Sequence, residues 1–578
     1  MITVYLCYTE FMKNAMKNRR LLFYAFLWGA PFAASCVLGW RLVHAGTVFG
    51  PGGSAAAYAG SFFLFLLETV ILSVPAAALA ALILRGGRRK HGEGTPDTAI
   101  GMSQGMRYAA AKMADNLRRH PAWQAWFFYS LLIFLCWLPI FLAYYPSVFA
   151  YDAEGQLYQV IAKDYSTHHP LLHTLFLGAF FRLGGAVGSY QTGMAVHSVV
   201  QMLLMAIAFG RALSWLYEKG TPRWVRILLL LFYSLFPANS ILALSTTKDV
   251  LFAALVLLFT LKGYGKNPAG LTKIGETAVY VLLAALMLLF RNNAVYAFAV
   301  SVPIVYIGLR KQKKYLYTAL LVLVLFGISA FGLKSATHAK SGSPREMLSV
   351  PLQQMARVRV EAEERLNPVM RHELDKYIPA EWVFAAYDPH LADPVKNRAV
   401  VHDDPAGLVK TWARLGLQYP TIYVDAFLDN SLGLWYLWDT SHAQVYGIGT
   451  ESGFGWLSTD NRTMPAGCEI VEKSFLPGLR AFMERIVSDN VYQKLPLIRL
   501  LFAPALYWWL LWLYLMTALY HKRGREALPA VFLIAYYLTL LLSPTVIVRY
   551  MYPLMVTVPV IFPYILTKGA NEIQENTQ

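Results

Sequence analysis

Charge is what this chain has least of. Of its 578 residues only 15% are Asp, Glu, Lys or Arg, while 57% are hydrophobic and the mean hydropathy is +0.42. That excludes a soluble enzyme and describes a polytopic membrane protein. Cysteine is also scarce. Cys7, Cys36 and Cys136 lie in or beside apolar runs, Cys468 has no obvious partner in its region, and no CxxC pair occurs. Neither a disulfide framework nor a thiolate metal site is implied. A cleavable leader is not evident: the run from Leu21 to Trp40 is too long for a signal core and lacks a cleavage site, so it reads as a retained helix. No internal repeat of the transporter kind is found. Acids are outnumbered 34 to 51, for a net charge of +17. The basic residues are scattered between apolar spans, which suggests cytoplasmic loops rather than a nucleic-acid surface.

What the chain does have is apolar runs of about 20 residues, the length that crosses a bilayer core. They fall near 21–43, 59–84, 124–144, 193–216, 224–244, 249–264, 271–290, 294–310, 315–333, 497–520, 527–543 and 551–568, twelve spans in all. The run 170–183 is too short and interrupted, and reads as an interfacial helix. Loop charge supports that choice. Residues 85–120 hold eight Lys or Arg, and the loops 219–226, 310–314 and 521–525 are also basic. All fall on the cytoplasmic side only if 170–183 does not span. Both termini are then cytoplasmic, in an inner (plasma) membrane. The expected parts are 1–120, two helices and a basic linker; 121–333, a transmembrane core with an outer loop at 145–192; 334–495, a small, mostly α extracytoplasmic domain with 20 of the 34 acids; and 496–578, the last spans. The fold expected is all-α. "LWYLWD" (434–439) reads as an interfacial aromatic belt, with a sugar-stacking platform as the alternative, and Asn461-Arg-Thr matches a glycosylation triplet that is common by chance.

On this topology the unusual polar residues share the outer face. Asp152 and Glu154 follow the third span. His168, His169 and His173 lead into the interfacial helix. Lys248 and Asp249 open the helix after the fifth span, Arg291, Asn292 and Asn293 form a tight hairpin, and Arg549 and Tyr550 begin the last span. Ionisable residues this near a bilayer are costly and usually functional. Together they suit glycosyl transfer from a polyprenyl-phosphate sugar. A carboxylate serves as general base, and cations hold the charge growing on a lipid phosphate leaving group. Arg offers that phosphate a fork and Lys a point charge.

Asp-x-Glu in the first large outer loop, then His169-Pro170-Leu171 opening an interfacial helix, resembles the GT-C superfamily of lipid-linked-sugar glycosyltransferases. Protein mannosyltransferases and aminoarabinose transferases have a similar Asp-Glu followed by His-Pro-Pro-Leu. The likeness covers the order of elements over about 124–570, and "TTKDV", "RNNAVY" and "RYMYPL" bring it closer to a bacterial branch of that superfamily. Leu171 replaces the second Pro, an Ala separates the acids, and the extracytoplasmic domain precedes the last three spans. The resemblance implies an inverting GT-C-type enzyme of the cell envelope. Asp152 and Glu154 would be catalytic, and His168, His169, Lys248, Arg291, Asn292, Arg549 and Tyr550 would bind the donor phosphate. The donor would be a polyprenyl-phosphate sugar and the acceptor an envelope glycan, lipid or protein. A divalent metal, with Asp152 and His169 as candidate ligands, is left open, because two or three ligands do not specify one.

Each residue alone has an ordinary explanation: a helix cap, a helix-start proline, or a cation reaching the interface. The argument rests on their meeting at one face. Two other functions compete. A transporter or flippase of lipid-linked sugars would place charges within its spans at broken helices, where Glu68 is the clearest charge here. A polymerase or ligase of diphosphate-linked glycans would also gather Arg, but would not need the acid-then-His-Pro order.

The topology gives the first prediction. In a cysteine-free background, Ser341→Cys should react with a membrane-impermeant maleimide in intact cells. Reaction only after the cells are opened would invert the assignment.

Overall fold

The computed structural model describes residues 18–50, 55–86, 121–149, 152–264, 274–401, 403–438, 467–468, 470–471, 473–488 and 494–575. Most of the basic 85–120 linker and the Asn461 triplet lie outside these. Among the described residues there are helices and isolated bridges but no strand.

Six helices are long and apolar enough to cross a membrane: Arg19–Ala45, Ala56–Arg85, Ala122–Ala143, Tyr190–Glu218, Lys313–Thr337 and Val548–Thr567. Two more candidates are bent pairs. Arg223–Leu235 and Pro237–Leu244 meet at 49°, and Pro496–Phe502 and Pro504–Tyr520 at 78°. A proline opens the second helix of each pair, where it lacks the N–H that would continue the first. The other four expected spans are helices too short for that test: Lys248–Gly263, Ile274–Phe290, Ala294–Gly308 and Val531–Leu540. Length and composition thus give six to eight crossings against the twelve expected. The run read as interfacial forms the 16-residue helix Leu171–Ala186. At 1.5 Å per residue it extends about 24 Å, short of the roughly 30 Å hydrocarbon core.

The main core joins these helices through aromatic side chains with polar ends. Trp137 lies edge-on to Phe209 at 5.9 Å, and Phe209 stacks on Tyr233 at 4.1 Å. Trp137 Nε1 donates to the Tyr233 carbonyl at 3.1 Å, and Tyr233 Oη to the Val556 carbonyl at 2.6 Å, so the rings bury without stranded polar groups. The first two helices, read from sequence as an addition, pack on Pro504–Tyr520: Trp28 Nε1 donates to the Trp509 carbonyl at 2.9 Å. Glu68 pairs with Arg41 at 2.8 Å, which satisfies the clearest charge within a span.

A second apolar cluster lies among helices of 344–430, around Leu352, Met355, Val358, Leu374 and Leu415. Ser349–Ala362 runs through it and carries the buried Arg357 and Arg359. Arg357 pairs with Asp429 and donates to the Gly46 carbonyl at 2.6 Å, tying this region to the first helical hairpin. The belt reading of "LWYLWD" does not hold for its middle. Trp435, Tyr436 and Leu437 are buried, with the Trp435 carbonyl accepting from Trp509 Nε1 at 2.8 Å. Sequence gave the aromatics, but not that a helix would cover them.

One helix crossing depends on a missing side chain. A Cβ on Gly193 would meet the Phe180 carbonyl oxygen, with Gly184 Cα at 2.8 Å. Small residues allow this approach of Leu171–Ala186 to Tyr190–Glu218. Gly193→Ala should therefore cost about 1–3 kcal/mol through overpacking. Gly327→Ala, in a helix with open space at that position, should be neutral or stabilising. Melting temperatures in detergent check this, and equal shifts for the two would refute the close-packing account.

Candidate functional site

The site is assembled at one end of the bundle, where five chain segments stop or start. The loop after Ala122–Ala143 runs beside the turn before Lys248. Val148 N–H donates to the Leu244 carbonyl at 3.3 Å, Thr246 N–H to the Val148 carbonyl at 2.9 Å, and Ser147 Oγ to Leu244 at 3.0 Å. Gln201, fully buried, donates to the carbonyls of Ala243 and Ser245 at 3.0 and 2.7 Å and fixes the turn from below. This pairing sets Asp152, at the start of Ala153–Ala162, against Lys248, the first residue of its helix.

Lys248 Nζ donates to Asp152 Oδ2 at 2.8 Å and to His169 Nδ1 at 3.2 Å, which leaves the ring proton of His169 on Nε2. Arg549 Nη2 lies 3.5 Å from the same Asp152 oxygen. Behind them is Asp249, fully buried. It pairs with Arg291 and has Arg549 Nε 3.7 Å away. Thr247 caps the helix and donates to Asp249 Oδ2 at 3.1 Å, while its hydroxyl accepts from Arg549 Nη1 at 3.4 Å. The Tyr550 ring lies between the two guanidiniums, 4.6 Å from Arg291 and 5.5 Å from Arg549. The cluster therefore holds three cations, Lys248, Arg291 and Arg549, against two carboxylates, a net of one positive charge. Asp249 gains from the helix N-terminus; Lys248 at the same end does not, and Asp152 offsets it.

Environment separates the members. Asp152 and Lys248 side chains keep 18% and 15% of their exposure, Arg549 10% and Arg291 9%. The first pair fronts the site and the two arginines lie deeper. Burial pushes the Asp152 carboxyl up, but Lys248 and Arg549 outweigh it and hold it well below the usual carboxylate range. Burial, aided by Lys248, pulls the His169 imidazole down to about 3, so it is neutral at physiological pH.

Of the residues expected here, Asp152, His169, Lys248, Arg291, Arg549 and Tyr550 meet. His168 is exposed, its ring against that of His169 at 4.5 Å. Asn292 is turned to the neighbouring loop, its amide donating to the carbonyls of Thr167 and His168, both at 3.3 Å. Glu154 is half-buried on the first turn of its helix, two residues past Asp152, a spacing that points side chains apart. His173 is buried against Gln156, its Nδ1 3.1 Å from Oε1, and Gln156 Nε2 donates to Thr174 at 2.9 Å. Asp249 and Gln156 are the residues sequence reasoning undervalued. An acid beside Lys248 was visible as a pattern. Gln156, a neutral residue on the helix Ala153–Ala162, gave no signal.

The metal candidates do not fit a cation. Asp152 and His169 both contact the Lys248 ammonium, which stands where a shared metal would have to be, with Arg549 beside it. Among the described residues no group of three or more His, Cys, Asp or Glu is placed to hold one.

Fold and site together define an all-α membrane protein with a compensated ionic cluster at one end of its bundle. Residues 162–578 match a family of unknown function, DUF6020, and the chain belongs to that family. The match includes every cluster residue except Asp152, and it also leaves out Glu154. No curated protein and no solved structure matches the chain.

Removing one partner of a buried ion pair typically costs about 3–5 kcal/mol, against about 0–1 for an exposed pair. Asp249→Ala should show the larger loss. Asp164→Ala, which breaks the exposed pair with Lys340, should show the smaller. Denaturant unfolding in detergent measures both, and comparable losses would contradict the central role given to Asp249.

Proposed function

We propose that the chain is a GT-C-like membrane glycosyltransferase with twelve spans, its cluster on the extracytoplasmic face. It moves a sugar from a polyprenyl-phosphate donor to an acceptor hydroxyl. The observation that carries this reading is the meeting of Lys248 and Arg549, from two separate helices, at the partly accessible Asp152, with Arg291 behind them on Asp249. A phosphodiester-linked sugar carries one negative charge, which matches the cluster's excess. On transfer its phosphate keeps the electron pair of the breaking sugar–oxygen bond and gains a second charge, which the same cations then hold.

At rest Asp152 is a weak base because Lys248 and Arg549 stabilise its ionised form. Donor phosphate competes for those two cations. Drawing them away raises the proton affinity of Asp152 as the sugar arrives. The carboxylate takes the acceptor's proton, the freed oxygen bonds to the anomeric carbon from the face opposite the phosphate, and the configuration inverts. Arg291, engaged by Asp249 and Tyr550, positions Arg549 more than it binds substrate. Glu154 is left a supporting role toward the acceptor. The prenyl chain stays in lipid, which is why this chemistry needs a membrane enzyme.

The transporter reading draws on the two bent helix pairs. Yet the bends, Leu235-Phe236-Pro237-Ala238 and Phe502-Ala503-Pro504-Ala505, carry no charge, and Glu68 is already paired. The ionisable residues lie at the bundle end, where transfer would occur.

Purified protein incubated with a panel of polyprenyl-phosphate sugars should release or transfer one of them. Asp152→Asn should lower transfer about 10²–10⁴-fold while donor binding persists. Glu154→Gln should be milder. Retained transfer in Asp152→Asn would exclude it as the base, and full activity of both would sink the enzyme reading.

A pH profile adds an independent check. Asp152's folded value is lowered, so the stability its pairing gives is present above about pH 4 and lost as pH falls through the lowered value. His169 is neutral above about 3. Neither resting group titrates between pH 5 and 8, so kcat/KM should be level there. A limb near pH 6.5 that disappears in His169→Gln would contradict this assignment.

A further inference from the structure

At the other end of the Ala122–Ala143 helix lies a cavity of about 820 Å³ that the proposed transfer does not use. Its lining on that helix runs from Trp123 to Tyr129, so at 1.5 Å per residue it sits about 26 Å from the helix end that leads to the cluster, close to one hydrocarbon thickness. Its walls are apolar: Trp123, Phe127 and Phe128 from that helix face Ile227 and Leu230 from Arg223–Leu235. Its polar lining is different in kind. Arg223 and Arg226 begin the second helix, and Tyr129 and Tyr217 stand beside them. Arg226 is fixed in place, Nη1 donating to Tyr129 Oη at 3.2 Å and Nε to the Thr221 carbonyl at 3.2 Å, its guanidinium 5.0 Å from the Tyr217 ring centre.

The surroundings mark this as the level of a membrane–water boundary. Arg211 lies over Trp126 at 6.0 Å and Lys219 over Trp215 at 5.7 Å. Aromatic rings and cations gather at such boundaries, and basic pockets between transmembrane helices hold anionic headgroups.

We propose that this cavity is a binding site for an anionic glycerophospholipid, with the headgroup phosphate at Arg223 and Arg226 and one acyl chain between the two helices. Charge selects this occupant over the chain's own residues 87–120. That segment carries seven Lys or Arg against three acids, and its like charge opposes the two arginines. A zwitterionic lipid would bring the same phosphate but also a cationic headgroup that the basic mouth opposes. The site is independent of the transfer reading and needs only that the helices span.

The test uses full-length protein in nanodiscs of mixed phosphatidylglycerol and phosphatidylcholine, with bound lipid counted by native mass spectrometry after release. Wild type should retain phosphatidylglycerol preferentially. Each arginine is expected to contribute about fivefold in affinity. Arg223→Gln, at an exposed position, should therefore lower retention about fivefold, and Arg223→Gln with Arg226→Gln further. Lys313→Gln with Lys314→Gln, basic residues that do not line the cavity, should leave it unchanged. A diazirine placed on the acyl chain should label the peptide holding Phe127 and Phe128. Equal retention of the two lipids, no loss in Arg223→Gln, labelling elsewhere, or binding that appears only after residues 88–119 are deleted would each overturn the proposal. The last outcome would identify the chain's own segment as the occupant.

Discussion

The carboxylate of Asp249 is the constraint around which this end of the molecule is arranged. It has no exposure to water, and a charge in that position is tolerated only when paired and hydrogen-bonded. Its partners come from elsewhere: Arg291 from the end of Ile274–Phe290, Arg549 from the start of the last helix, and Thr247 from its own cap. Three helix ends must therefore meet in one register for the acid to be buried at all. Asp152 and Lys248 then complete the cluster toward the accessible side. The order is physical: deep pair first, front pair second. Arg549, which also reaches Asp152, is the arginine that links the two pairs.

The helical order and the location of the cluster were legible in the sequence, for the same reason. In a chain with so few charges, each Asp, Lys or Arg beside an apolar run stands out. The twelve runs all became helices where described, but several are shorter than the runs suggested. Pro237 and Pro504 break two of them, and polar starts such as Lys248-Asp249 take up the first turn of another. What the sequence withheld is which polar groups pair. Asn292 had the look of a ligand and serves as a tie to the loop at Thr167. His173 and Gln156 find each other across 17 residues, a relation no local pattern encodes. The buried Trp435 and Tyr436 looked like a surface belt because aromatic composition does not distinguish the interface from a helix-covered core.

A resting cluster in which every charge is engaged also bears on how the site would work. Charges held by one another cost less to keep at a membrane boundary than free ones would. A ligand that carries its own negative charge can exchange with the internal carboxylate without leaving a cation stranded. Neutral ligands have no such exchange available. Selectivity for a charged lipid head would thus follow from the cost of opening the Lys248–Asp152 pair, as well as from the fit of the tail.

That difference can be measured directly. The melting temperature of the purified protein should rise on adding a polyprenyl phosphate and stay unchanged with the same polyprenol lacking phosphate. The rise should be lost in Arg549→Gln and reduced in Lys248→Met, with folding retained in both. Equal stabilisation by alcohol and phosphate, or a full phosphate effect in Arg549→Gln, would contradict the account of this cluster as a lipid-phosphate site.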